Sequence, residues 1–130
     1  MSQRHTLLAT GKPLPEELLT DIVETFKALS DPTRAQLIHL LTHRAYSVNE
    51  LADDVNVSPS AVSHHLAKLR AIRLVQTRRD GNQIFYSIDD SHVAALFREA
   101  LYHLEHVRGN LPDHPYLTEK AWTNALEDDS

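Results

Sequence analysis

Three helix-start signals in the first half of the chain restrict its fold more tightly than any apolar run. Ser30-Asp31-Pro32 ends one helix and begins another: an aspartate oxygen accepts from free backbone N–H groups, and the proline ring is preset for the first helical position. Ser47-Val48-Asn49-Glu50 has the spacing of a capping box, and Ser58-Pro59 repeats the cap-plus-proline pattern. Apolar residues at three- and four-residue steps fill the spaces between these marks. A first helix runs from Pro15 to Leu29 with Leu18, Leu19, Ile22, Val23, Phe26 and Leu29 on a broad face expected to be buried, and it is long enough to help form a dimer contact. A second carries Leu37, Ile38, Leu40 and Leu41 inward, a third carries Leu51, Ala52 and Val55, and a fourth runs from Ser60 to about Ile72 with Val62, Leu66 and Leu69 on one side. The third and fourth helices, separated only by the break at Asn56-Val57, predict a helix-turn-helix.

The face of the fourth helix opposite its apolar stripe offers Ser60, Ser63, His64 and Ala67, small hydroxyls and an imidazole suited to hydrogen bonds with base edges or phosphates. His65 lies nearer the buried edge and reads as structural. Two β-type runs follow, Leu74 to Arg79 and Gln83 to Ile88, flanking the turn signal Asp80-Gly81-Asn82. That hairpin is the wing, and Arg78 and Arg79 at its tip suit the phosphate backbone or the minor groove. The chain's formal charge of −5 hides a local imbalance: Pro59 to Tyr86 holds Lys68, Arg70, Arg73, Arg78 and Arg79 against a single acid, Asp80. A basic patch on an acidic body is the footprint of one surface that meets phosphate. The expected partner is double-stranded DNA, contacted by Ser60, Ser63, His64, Lys68, Arg78 and Arg79.

Asp90 to His106 reads as one amphipathic helix with a metal-ligand pair near each end, Asp90 with His92 and His103 with His106. Val93, Phe97, Ala100 and Leu104 form its apolar stripe, and the three histidines fall within about 60° of each other on an adjacent face. At about 1.5 Å rise per residue His92 and His103 stand roughly 16 Å apart, so one ion cannot touch both. The pairs act together only if a second copy of the helix runs antiparallel beside the first, which predicts a homodimer with two identical sites. The alternative is a set of solvated polar positions on an ordinary surface helix. The chain has no cysteine, so neither a disulfide nor a thiolate site is available and any metal must be held by nitrogen and oxygen. No apolar run approaches a membrane span and the first residues lack a secretion signal's apolar core, so the expected location is the cytoplasm, with no membrane partner.

Together, Phe26-Lys27-Ala28-Leu29-Ser30-Asp31-Pro32-Thr33-Arg34, Asn49-Glu50-Leu51-Ala52, Ser60-Ala61-Val62-Ser63-His64-His65-Leu66, and Asp90-x-His92 with His103-x-x-His106 resemble the ArsR/SmtB family of winged-helix metal sensors. The resemblance covers roughly residues 18 to 107. It implies a mainly α fold with a β-hairpin, a winged helix-turn-helix whose homodimer forms through its N- and C-terminal helices. It also implies a repressor that holds operator DNA without metal and releases it when metal binds, inducing efflux or sequestration genes. Asp90, His92, His103 and His106 then correspond to the inter-subunit ligands of the zinc- and cobalt-responsive branch. Ser47 and Asn49 stand where members sensing soft metals place cysteines, and Pro59 stands where many relatives carry glutamine.

Three imidazoles and a carboxylate suit tetrahedral Zn(II), and Co(II) fits the same cage. Ni(II) prefers more ligands, for which His114 is a candidate and His5 another. The domain reading is a flexible arm over residues 1 to 13, the winged helix-turn-helix metal-sensing domain over 14 to 108, and a tail over 109 to 130. Two further readings stand beside the sensor. A winged-helix regulator with a metal-independent signal would leave the ligand set vestigial. A zinc hydrolase with Glu99 as base would need an open coordination position that four protein ligands would fill; the expectation is that the chain is not an enzyme.

Overall fold

A computed structural model describes residues 10–109. Residues 1–9 and 110–130, with His5, His114 and most of the arm and tail, lie outside the described residues. The elements in order are α1 (Glu16–Leu29), α2 (Pro32–Leu41), β1 (Tyr46–Ser47), α3 (Val48–Val55), α4 (Pro59–Ala71), β2 (Val75–Asp80), β3 (Gln83–Ile88) and α5 (Ser91–Val107). One compact unit spans Asp21–Arg98, and the remaining described residues fall in another. Among the described residues no helix is long and apolar enough to cross a membrane.

Local chemistry places the helix starts where the sequence predicts them. Asp31 caps α2 by accepting from the Arg34 amide at 3.0 Å, with Pro32 at the first helical position. Ser47 and Glu50 form the reciprocal capping box of α3: Glu50 N–H donates to Ser47 Oγ at 3.2 Å, and Ser47 N–H donates to Glu50 Oε1 at 2.9 Å. Ser58 caps α4 by accepting from Ala61 N–H at 3.2 Å.

Helix ends are less conventional. α3 stops at Asn56 in the left-handed region, φ 57°, which asparagine tolerates better than most residues. α4 ends in a Schellman arrangement with Arg73, not glycine, at φ 64°: Arg73 N–H donates to Arg70 O at 3.0 Å and Leu74 N–H to Leu69 O at 2.9 Å. Leu69 and Leu74 are both in the core, so the apolar contact that accompanies this cap holds a conformation that arginine otherwise disfavours.

The core is Leu37, Ile38 and Leu41 from α2, Leu51 and Ala52 from α3, Val62, Leu66 and Leu69 from α4, with Tyr46, Leu74 and Val75. Leu40, expected inward, is only partly buried at its edge. β2 and β3 form the wing, closed by a turn whose Gly81 sits at φ 64°, the positive value a tight hairpin needs at its first central residue. β1 adds a third strand, in the order β1-β3-β2, with Tyr46 opposite Tyr86 and Ser47 opposite Phe85. A two-residue strand carries no alternation to read, and the sequence shows it only as a helix cap.

The broad face expected to be buried on α1 is not covered within one chain. No residue of α1 is buried in the single chain: Leu18, Leu19, Ile22, Val23 and Phe26 are all exposed, Phe26 by 53%. Only Ala28 and Leu29 pack against the core. The stripe on α5 divides similarly: Val93 and Phe97 pack against the core and Ala94 is buried, whereas Ala100 and Leu104 face outward. The periodicity is real in both helices, but within one chain nothing described covers these faces.

The Arg34 amide donating to Asp31, helped by the nearby guanidinium, holds the Asp31 carboxyl below its usual range against the opposing effect of burial; the Ser47 amide, with Arg44 assisting, does the same for Glu50. Lowered folded-state values mean that the unfolded chain binds these protons first as pH falls. The stabilisation is therefore complete above about pH 5 and lost as the solution is acidified through and below about pH 4. Urea midpoints measured between pH 6 and pH 3 should fall less steeply in an Asp31→Asn, Glu50→Gln double variant than in the parent chain.

Candidate nucleic-acid interface and metal-ligand helix

The side of α4 that meets solvent is set by the side that does not. Val62, Leu66 and Leu69 are fully buried at 0% exposure. At helical spacing this turns Ser60, Ser63, His64 and Lys68 outward, and all four are exposed as the sequence predicts. Ser60 Oγ lies 3.4 Å from Ser58 Oγ at the helix start. These groups donate and accept hydrogen bonds, and Lys68 adds a charge.

On the wing, Arg78 and Arg79 are exposed on β2, opposite Phe85 and Ile84 of β3. The Arg78 guanidinium carbon sits 5.7 Å from the Phe85 ring centroid, within the range in which a ring face attracts a cation. Arg78 thus presents its charge from a partly braced side chain.

A bracing group that sequence reasoning missed fixes α4 from behind. Arg34 on α2 donates through Nε to Ala28 O at the end of α1, 2.7 Å away, and its Nη1 is 3.2 Å from His65 Nδ1 on α4. A guanidinium only donates, so His65 Nδ1 accepts and its proton resides on Nε2. Asp31 Oδ2 lies 3.8 Å from the same nitrogen. His65 is therefore structural, as its position at the buried edge suggested, and it ties α4 to the α1–α2 corner.

The metal-ligand candidates sit on α5. Asp90 caps that helix: its Oδ1 accepts from His92 N–H at 2.9 Å and Val93 N–H at 3.2 Å. The cap fixes the carboxylate's orientation, while the His92 side chain is 94% exposed with its Nδ1 3.7 Å from Asp90 Oδ1. His103 is exposed and His106 half-buried near the other end of the helix. Among the described residues, no three histidine, aspartate or glutamate side chains of one chain gather as a metal set. Each end of the helix supplies a pair and not a complete site.

Comparison with known proteins identifies relatives of the whole fold. Residues 31–77, from the cap of α2 into β2, match the family model described as "Bacterial regulatory protein, arsR family". The chain is 46% identical over 102 residues to the HTH-type transcriptional regulator KmtR of Mycobacterium tuberculosis, covering 78% of each protein. It is 45% identical to a transcriptional repressor SmtB homolog of Synechocystis, over 65% of this chain and 64% of that one. Among solved structures, the homodimeric winged helix-turn-helix DNA-binding domain Mb0332 of Mycobacterium bovis superposes with a TM-score of 0.68 at 27% identity, over 81% of this chain and 99% of that one.

If Arg78 and Arg79 each neutralise a phosphate, replacing either with glutamine should lower the slope of log affinity against log salt by about 0.9 and weaken binding evenly across DNA sequences. Ser63→Ala should instead leave the salt slope unchanged. Anisotropy titrations on duplex DNA over a range of salt concentrations measure both effects.

Proposed function

Because the chain belongs to the ArsR/SmtB family of bacterial transcriptional regulators, DNA-binding winged-helix proteins and not enzymes, we propose that it is a metal-responsive repressor that binds operator DNA as a homodimer and releases it on binding Zn(II) or Co(II). The observation that carries this reading is the pairing on α5, with Asp90 held by the helix cap, His92 extended into solvent, and His103 and His106 near the far end. Three imidazole nitrogens and one carboxylate oxygen are the donors that tetrahedral zinc accepts, and no thiolate is required. Asp90 and His92 of one protomer, with His103 and His106 of its partner, would hold the ion. A bound ion supplies a positive charge and fixed bond directions that tie the two copies of α5 together.

The dimer reading is supported by apolar surface. α1 exposes Leu18, Leu19, Ile22, Val23 and Phe26, and α5 exposes Leu96, Leu101, Leu104 and Val107. Contiguous apolar faces on two helices of a small soluble chain mark a surface that a partner covers. A second copy supplies both that cover and the missing half of each metal site.

DNA binding belongs to Ser60, Ser63, His64 and Lys68 on α4, with Arg78 and Arg79 on the wing. Metal and DNA oppose one another if the metal-tied dimer holds its two α4 helices at a spacing that no longer matches successive major grooves, and the opposition is reciprocal. Ni(II) would call for donors beyond these four, with His114 the candidate from the sequence.

Fluorescence anisotropy on the promoter of the chain's own operon tests the proposal. The metal-free protein should bind, and Zn(II) or Co(II) should weaken binding at least tenfold, within the range of about 5- to 150-fold usual for coupled sites. His103→Ala should still bind DNA and lose the metal response. Indifference of the parent protein to Zn(II), Co(II) and Ni(II) alike would contradict the metal reading and favour a different signal. A response to Ni(II) alone that is lost with His114→Ala would replace the four-ligand site by a larger one.

A further inference from the structure

A cleft of about 330 Å³ opens between the last turns of α1 and α4 and the first turn of α2, lined by Glu24, Lys27, Ala28, Arg34, Lys68, Ala71 and Ile72. We propose that it binds a small organic anion, a carboxylate or phosphate carrying an apolar body, and that the occupant acts as a second signal alongside metal.

The lining carries three cations against one acid, together with the apolar side chains of Ala28, Ala71 and Ile72. Arg34 is the anchor. Its Nε is fixed on Ala28 O at 2.7 Å and its Nη1 on His65 Nδ1 at 3.2 Å. Those two bonds spend two of the five guanidinium N–H groups and hold the plane in position, leaving three donors on a side chain that has already lost its rotamer freedom. A fixed guanidinium fork with unspent donors is the group best shaped for carboxylate or phosphate oxygens. Lys27 can turn toward the same anion, since its pairing with Glu24 is long, 4.0 Å, and exposed. The volume falls within the range of about 300 to 1,000 Å³ usual for small-molecule sites. A phosphate of the DNA backbone carries no apolar body to cover Ala28, Ala71 and Ile72, which favours a free anion as the occupant.

Coupling to DNA follows from Lys68, which lines the cleft and also belongs to the proposed DNA face of α4. An anion that draws Lys68 inward removes a charge from that face, so anion and DNA bind at each other's expense. This coupling rests on the proposed DNA surface; the anion site does not.

Benzoate and inorganic phosphate, at constant ionic strength, are the probes, read by amide and Arg34 Nε–H shifts of the full chain. Benzoate should give saturable shifts at Lys27, Arg34, Lys68, Ala71 and Ile72, and phosphate weaker ones at the same residues. Lys27→Gln should weaken benzoate about threefold or more. Ala71→Leu, which fills the cleft with a good helix former and removes no charge, should weaken it at least tenfold while leaving DNA affinity without benzoate within about twofold. Shifts that do not saturate, that survive Ala71→Leu, or that spread to Ser63, His64 and the wing arginines would overturn the site. A second measurement, DNA anisotropy with benzoate, should show weakened binding for the parent and none for Ala71→Leu. Saturable benzoate binding without that loss would overturn the coupling alone.

Discussion

Everything the outward side of α4 can do depends on the burial of its inward side. Val62, Leu66 and Leu69 are sealed against Leu37 and Ile38 of α2 and Leu51 of α3, all at 0% exposure. Truncating a leucine in such a position typically costs about 2 to 5 kcal/mol, a large share of the stability of a domain this size. A rotation of α4 that brought other residues to the outward face would have to break that packing. The polar face is thus specified by hydrophobic contacts, and Arg34, reaching from α2 to His65, closes the remaining freedom at the helix's edge. Because that arginine also fixes Ala28 O, the end of α1, the start of α2 and α4 form one braced corner.

The N- and C-terminal helices obey a different logic. Their apolar periodicity is as regular as that of α2 to α4, yet much of it faces outward in a single chain, with Phe26 at 53% and Leu104 at 52% exposure. Polar ligands tell the same story, since α5 offers two donor pairs at opposite ends and completes neither. An incomplete apolar cover and an incomplete ligand set on the same helix are met together by one added component, a second copy of the chain. That coincidence is what recommends the dimeric metal site over two unrelated explanations.

How much could be read from the sequence depended on the range of the interaction. Caps at Asp31, Ser47 and Ser58 are chemistry between residues three apart, and each stands where the pattern put it. Gly81 in the wing turn is equally local. The Arg34–His65 bond joins residues 31 apart, and no local pattern marks Arg34 as anything but a surface charge. Arg73 at positive φ was hidden for a related reason: a Schellman cap usually announces itself by glycine, and here Leu69 and Leu74 hold the conformation through core packing. β1 is too short to show alternation. On α1, amphipathic spacing reveals that a face must be covered but not whether the cover comes from the same chain. The proposed metal ligands were a matter of residue types at spacings, and the structure adds that Asp90 is held by capping α5.

Subunit complementation tests the shared metal site most directly. One variant lacks Asp90 and His92, replaced by alanine; the other lacks His103 and His106. Neither should give the absorption of tetrahedral Co(II) alone. Mixed and allowed to exchange subunits, they should regain about a quarter of the parental intensity per chain, because half of the randomly formed dimers carry one intact site out of two. A mixture that stays colourless while mixed dimers demonstrably form would contradict the account.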